Sequence, residues 1–552
     1  MPSTTAEGST VRPEGDELGL TDLTRSSSSA RSHMPCARES GDLAGASPPM
    51  VGGRQTREGE EPKAGEYACE ESRAFVVPKK LANSVVTPEE LVEGRDAANG
   101  NSPSETCTGP SAGLSALTHL ERVGERARKQ KQERFNNLLS HIKLPLLREA
   151  YQLLNKKSSA GVDGETWSQY GENLDARLLD LQNRVHRGSY HPQPVRRVNI
   201  PKADGRTRPL GIPTVEDKIL QQAVRMILEP IYEADFIGFS YGFRPKRSQH
   251  KALDALYVAL GNKTNWVLDA DIRAFFDTID HGWMRKFIEH RIGDQRLVRL
   301  LLKWLNAGVM EDGKLHEVTA GTPQGGIISP LLSNVYLHYV LDLWVQQWRK
   351  RDARGEVYIV RYADDFVMGF QYEQDARAMR SALAERFAKY SLELHPEKTR
   401  LIRFGRFARK DSVLDGRKRP ETFVFLGFTH ICAEGPDGKF RVVRRTSRKK
   451  RVAKLASLKE EIERRKHHRV VEQHKWLNSV LRGHNLYYGV PGNYSALKSF
   501  RHRVRIQWHR ALQRRSQRAK WNEANHRAFD ARFPLLNPQI THPHPLSGFS
   551  RP

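Results

Sequence analysis

From Ala116 onward, apolar residues recur with the spacing of buried secondary structure. Leu138, Leu139, Ile142, Leu144, Leu147 and Tyr151 follow a helical period, with Pro145 interrupting its middle. Ile219, Leu220, Ala223, Ile227 and Leu228 predict a second helix that stops near Pro230. The run Trp266–Ile272 predicts a buried strand ending in polar chemistry. Val357–Arg361 and Phe366–Phe370 are short apolar strands around Tyr362–Asp365, which predicts a β-hairpin with acids at its tip. Farther on, Val452, Leu455, Leu458 and Ile462, then Val504, Trp508, Ala511 and Leu512, form stripes on helices otherwise rich in Arg and Lys. Strands interleaved with helices imply an α+β or α/β core.

Before about Ser115 this patterning is absent. Ser, Gly, Glu and Pro dominate and apolar residues are sparse, so 1–115 is expected to be disordered, with a short helix near Pro88–Arg95. The full length of 552 residues leaves room for two to four domains. No stretch approaches the ~18 continuous apolar residues of a membrane helix, so an integral membrane protein is excluded. The N-terminus lacks an apolar core behind a basic start and carries Glu7, Glu14, Asp16 and Glu17. Neither a secretory signal nor an Arg-rich transit peptide is expected. Cys36, Cys69, Cys107 and Cys432 are scattered and form no C-x-x-C. That pattern excludes a disulfide scaffold or four-Cys zinc site and fits a reducing, cytoplasmic setting.

Charge changes the picture more. The chain holds 90 Lys+Arg against 64 Asp+Glu, a net +26, which implies a polyanionic partner, most simply nucleic acid. Residues 1–115 carry −7, residues 116–436 carry +12 and residues 437–552 carry +21. In the last region Arg444, Arg445, Arg448, Lys449, Lys450 and Arg451 precede Trp476, Tyr487, Tyr488, Tyr494 and Trp508. Such basic residues supply affinity for a phosphate backbone, and exposed aromatics can stack on unpaired bases. Trp476 and Trp508 are better read as helix-packing anchors.

The candidate chemistry lies in acids. Asp271 ends a hydrophobic strand, and Asp364 and Asp365 sit at a hairpin tip, where adjacent carboxylates repel unless a cation lies between them. Oxygen-only ligands suit Mg²⁺, and two such ions are a known device for phosphoryl transfer. An Asp pair at a turn is by itself ordinary turn chemistry. Here it follows, in order, Asp271-Ile272-Arg273-Ala274-Phe275-Phe276-Asp277 and the run Thr322–Asn334 (TPQGGIISPLLSN).

With Tyr362-Ala363-Asp364-Asp365 (YADD), these segments resemble reverse transcriptases, specifically the group II intron-encoded reverse transcriptase/maturase family. Lys156–Trp167 and Ile200–Ile212 resemble the fingers motifs. Ser240–Ser248 (SYGFRPKRS), Leu394–Thr399 (LHPEKT), Phe425–Phe428 (FLGF) and the maturase-like 476–494 follow in order. One common form of the last motif has Trp where this chain has His484. The resemblance covers about 135–530. It implies an α+β right-hand polymerase with fingers and palm, followed by an all-helical basic thumb/X (maturase) region. The implied divisions are a disordered extension at 1–115, an N-terminal fingers segment at 116–182, fingers/palm at 183–428 and thumb/X at 429–552.

Carried over by position, the resemblance makes Asp271, Asp364 and Asp365 the catalytic, metal-binding triad, with the Ile272 carbonyl as a further ligand. It makes Phe276 the ring that excludes a ribose 2′-OH and places Gln324 in the nucleotide pocket. Lys202 and Arg208 would contact the triphosphate, and Lys398 the primer or nucleotide. The implied cofactor is a pair of Mg²⁺ ions, replaceable by Mn²⁺. The implied partners are group II intron RNA, a DNA target and primer, and deoxynucleoside triphosphates, with no membrane. The protein would assist splicing of that RNA and copy it during retrohoming, associating with the nucleoid when on DNA. A maturase-only RNA-binding protein, a host-domesticated reverse transcriptase and an RNA-templated RNA polymerase stay open as alternatives. Residues 495–552 contain no Cys, so they are not expected to form an endonuclease of the HNH type.

Overall fold

The computed structural model describes residues 112–201, 207–311, 314–316, 321, 325–515 and 521–546. The helix expected near Pro88–Arg95 lies outside them. Eleven strands occur among the described residues: β1 (Val195–Pro201), β2 (Thr207–Ile212), β3 (Trp266–Ala270), β4 (Val309–Glu311), β5 (Lys314–His316), β6 (Val357–Tyr362), β7 (Asp365–Phe370), β8 (Arg400–Arg403), β9 (Phe423–Phe425), β10 (Phe428–Glu434) and β11 (Phe440–Thr446). They form three sheets, ordered β2-β1-β4-β5, β6-β7-β3-β8 and β11-β10-β9. Helices fill the intervals, so the fold is α+β.

The sheet β6-β7-β3-β8 is apolar on both faces. Leu268, Ala270, Ile359, Phe366 and Met368 join one core, and Val267, Val360, Val367 and Ile402 join another. Coverage on both sides explains why β3, β6 and β7 read as nearly unbroken apolar runs. A third core lies among the helices Arg448–Arg464, Val470–Tyr488 and Tyr494–Gln513, where Leu455, Leu458, Ile462, Val504, Trp508, Ala511 and Leu512 are buried. Val452, assigned to that stripe from sequence, is exposed.

Three local expectations need correction. The helix expected from Leu138 to Tyr151 is broken into a 3₁₀ turn, Leu138–His141, and a helix, Leu144–Leu153. Pro145 falls in the first turn of that helix, where its missing N–H costs nothing. The helix expected to stop near Pro230 runs from Val215 to Asp235. Burying Ile231 and Tyr232 completely offsets the ~3 kcal/mol cost of an internal proline. The region after 429 is not all-helical. Residues 428–446 form β10 and β11, and helices begin only at Arg448.

No helix among the described residues is long and apolar enough to cross a membrane.

Candidate active site

Strand β3 pairs antiparallel with β7 from Trp266↔Phe370 to Ala270↔Phe366, so Asp271 and Asp365 occupy the next position on each strand. Side chains alternate along a strand. Asp271 therefore shares a face with Val267 and Asp269, and Asp365 shares the corresponding face of β7 with Val367. Strand β7 also pairs with β6 up to Tyr362↔Asp365, leaving Ala363-Asp364 as a two-residue turn with Ala363 at φ 57°. A non-glycine residue in the left-handed region is uncommon and marks strain held by its surroundings. The hairpin expected from sequence is present, and its register brings the three Asp positions to one end of one sheet.

The Asp271 carboxylate is ion-paired with the Lys398 ammonium. Lys398 reaches it from the turn that follows Leu394, where Leu394 bridges to Ile272 and the His395 N–H donates to the Asp271 carbonyl. The Ile272 side chain is buried, so only its backbone is left to serve a ligand. Sequence reasoning missed Asp269, one strand period before Asp271. Burial pushes its pKa up, and Arg400, 3.2 Å away, draws it back down. Its i, i+2 spacing from Asp271 is the signal that could have found it.

Phe276 lies on the short helical turn Phe275–Thr278, partly buried and edge-on to Phe275 at 5.3 Å between centroids. Lys202 and Gln324 lie outside the described residues. Arg208 is placed only as the β2 position opposite Ile200. Gly325, next to Gln324, has φ 120°, and a Cβ there would lie 2.4 Å from the Gly211 carbonyl of β2. This contact packs the start of the Gly-Gly turn on the β1-β2 sheet, and Gln221 accepts from the Ile327 N–H at 2.8 Å.

Among the described residues, no three His, Cys, Asp or Glu side chains stand close enough together to hold a metal ion by themselves. The donors are all oxygens, which fits a hard divalent ion that binds one or two carboxylates and completes its shell with water and substrate phosphates.

In the basic C-terminal region the side chains divide. Arg445, Arg448, Lys449 and Lys450 are exposed. Arg444 is buried and bound to Asp254 at 2.8 Å, so it is a packing residue and not an RNA contact. Trp508 is buried, and Trp476 packs against the same core, as helix anchors should. Tyr487 and Tyr488 pack against Phe428, which removes them from the set of exposed stacking aromatics, whereas Tyr494 is 52% exposed. His484 is buried and stacked on Phe500 at 3.7 Å, which explains its place in the motif as a core position. His542, near the end of the described residues, packs on the rest of the chain. It stacks on His250 at 3.6 Å and bonds to the Leu486 carbonyl.

Residues 200–430 match the family described as reverse transcriptase (RNA-dependent DNA polymerase). The chain is 35% identical over 317 residues to protein YkfC of Escherichia coli (strain K12), covering 51% of this chain and 78% of that one. It is 39% identical over 237 residues to the group II intron-encoded protein LtrA of Lactococcus lactis subsp. cremoris, covering 43% and 39%. Against the putative COX1/OXI3 intron 1 protein of Saccharomyces cerevisiae it is 34% identical over 228 residues, covering 40% and 27%. The match thus spans well under half the length of these two intron-encoded relatives. Motif order, sheet register and these relationships agree: the chain carries a reverse transcriptase domain and belongs to the group II intron reverse transcriptase/maturase family.

Proposed function

We propose that this protein is an RNA-directed DNA polymerase and maturase that binds group II intron RNA, assists its splicing and copies it into DNA. The observation that carries the reading is the shared register of Asp271 and Asp365 on β3 and β7, with Asp364 in the adjoining turn. In the reaction, the primer 3′-oxygen attacks the α-phosphate of a deoxynucleotide and pyrophosphate leaves. Asp271, Asp364 and Asp365, with the Ile272 carbonyl, are the residues that would hold two Mg²⁺ ions, which when bound supply charge stabilisation and activate the attacking oxygen. Lys398, ion-paired with Asp271, would contact the primer or the incoming nucleotide. Phe276 limits room at the sugar, and Lys202, Arg208 and Gln324 belong to the nucleotide pocket by their motif positions. Residues 116–182 and 183–428 serve as fingers and palm. Residues 429–552 serve as thumb and RNA-binding region, with Arg445, Arg448, Lys449 and Lys450 presented outward. A cytoplasmic protein that joins the nucleoid when on DNA fits this role.

The test is primer extension on an RNA template with a DNA primer. Asp364→Ala should abolish extension while RNA binding survives. Full activity in that variant would overturn the assignment.

A further inference from the structure

The turn that carries Asp364 rests on a buried polar network that the chemistry above does not use. Arg361, on β6, is fully buried. Its guanidinium bonds to both oxygens of Asp342, through Nε at 2.8 Å and Nη2 at 2.5 Å. Nη1 then donates to Asn334 Oδ1 at 3.0 Å and to the Ala363 carbonyl at 2.9 Å. The Asn334 amide donates onward to the Gly242 carbonyl at 2.7 Å. Gly242 in turn abuts the same turn, since a Cβ there would lie 2.3 Å from the Ala363 nitrogen. Asp342 closes the π-helical turn His338–Asp342, a rare geometry that often marks functional positions.

Two features show that this arrangement does more than fill space. A bidentate guanidinium–carboxylate pair with both partners fully desolvated adds little net stability over apolar packing, and it is best at fixing geometry. The backbone it grips, Ala363, sits at φ 57°, a conformation that only surrounding contacts maintain. Asn334 lies on the helix Ser329–Leu337, which begins two residues, Ile327 and Ile328, after the Gly325-Gly326 turn.

We propose that Asp342, Arg361 and Asn334 are positioning residues that fix the Asp364–Asp365 turn relative to the helix Ser329–Leu337. The inference rests on the polymerase reading. The network touches no reacting atom and acts through Ala363.

The experiment compares Asn334→Ala, Arg361→Lys and their double variant in full-length protein. Arg361→Lys keeps the charge opposite Asp342 but cannot also reach Asn334 and Ala363. Each single variant should lower kcat by about ten- to a hundredfold, the size expected from misplacing catalytic groups, with KM for the nucleotide changed less than about threefold. The double variant should be about as slow as the worse single one, as expected for residues acting as one unit. Hydrogen exchange at the amides of 362–366 should quicken while the unfolding midpoint of Asn334→Ala stays within a few degrees of the parent. Unchanged kcat, a loss that only tracks the folded fraction, or additive effects would each overturn the proposal. Asp364→Ala separates this outcome from failure of the polymerase reading. If it abolishes extension while Asn334→Ala is fully active, only the network proposal falls.

Discussion

Asp217, in the first turn of the Val215–Asp235 helix, accepts from the Tyr190 hydroxyl, from Thr214 Oγ1 at 2.8 Å and from the Gln193 N–H at 3.3 Å. Burial pushes its pKa up to about 6, and those hydrogen bonds only partly oppose the rise. An acid raised in the folded state contributes stability in full below its unfolded value, near 3.8, and loses it as pH rises through about 6. The parent should therefore lose on the order of 2 kcal/mol relative to Asp217→Asn between about pH 4 and pH 7. Urea unfolding followed by tryptophan fluorescence measures this, and parallel profiles would contradict it. If Phe276 acts as the proposed sugar gate, Phe276→Ala or Phe276→Val should raise ribonucleotide incorporation relative to deoxynucleotide by about tenfold or more, read by single-nucleotide extension. The three candidate active-site Asp residues were legible in the sequence because each belongs to a short contiguous motif. The contact among Arg361, Asn334 and Asp342 was not: Asn334 ends the TPQGGIISPLLSN run and Arg361 precedes YADD, but nothing local shows that they meet Asp342 in the folded interior.

Elements were legible where apolar runs had sharp polar ends, as in β3 and the β6–β7 hairpin. They were missed where charge concealed the period. Strand β11 (FRVVRRT) alternates Phe440, Val442, Arg444 and Thr446 on one side, and Arg444 turns inward to Asp254. In the sequence that alternation was absorbed into a basic run. The Val470–Tyr488 helix offers a sharper test of packing. His484 fills a core position against Phe500, and burial pushes its pKa down to about 3. His484→Trp, which restores the residue common in related motifs, should destabilise the protein by about 1–3 kcal/mol through overpacking. Thermal unfolding reads the effect, and an unchanged midpoint would show that the site has room for an indole.

At the scale of the molecule, charge and fold are divided along the chain. The region 437–552 carries +21, yet it contains β11, so a deletion starting at 437 would remove part of a sheet as well as charge. Replacing exposed Arg448, Lys449 and Lys450 with Gln is the cleaner probe. Intron RNA binding should weaken, and its log–log salt slope should flatten by about 2 if all three side chains neutralise phosphates. A filter-binding series across salt concentrations decides this, and an unchanged slope would move the RNA site elsewhere. The position of β3 has a different consequence, for how the protein is made. That strand is interior to its sheet, and its two neighbours arrive late: β7 begins at Asp365 and β8 at Arg400. Pairings so distant in sequence are slow to close. A ribosome must therefore deliver the chain to Arg403 before β3 has both of its partners. Until then a nascent chain exposes the apolar faces of β3 without a sheet to cover them, the condition in which unfinished chains aggregate or need a chaperone. Polymerase activity is thus a property the chain acquires late in its synthesis, well after Asp271 has left the ribosome.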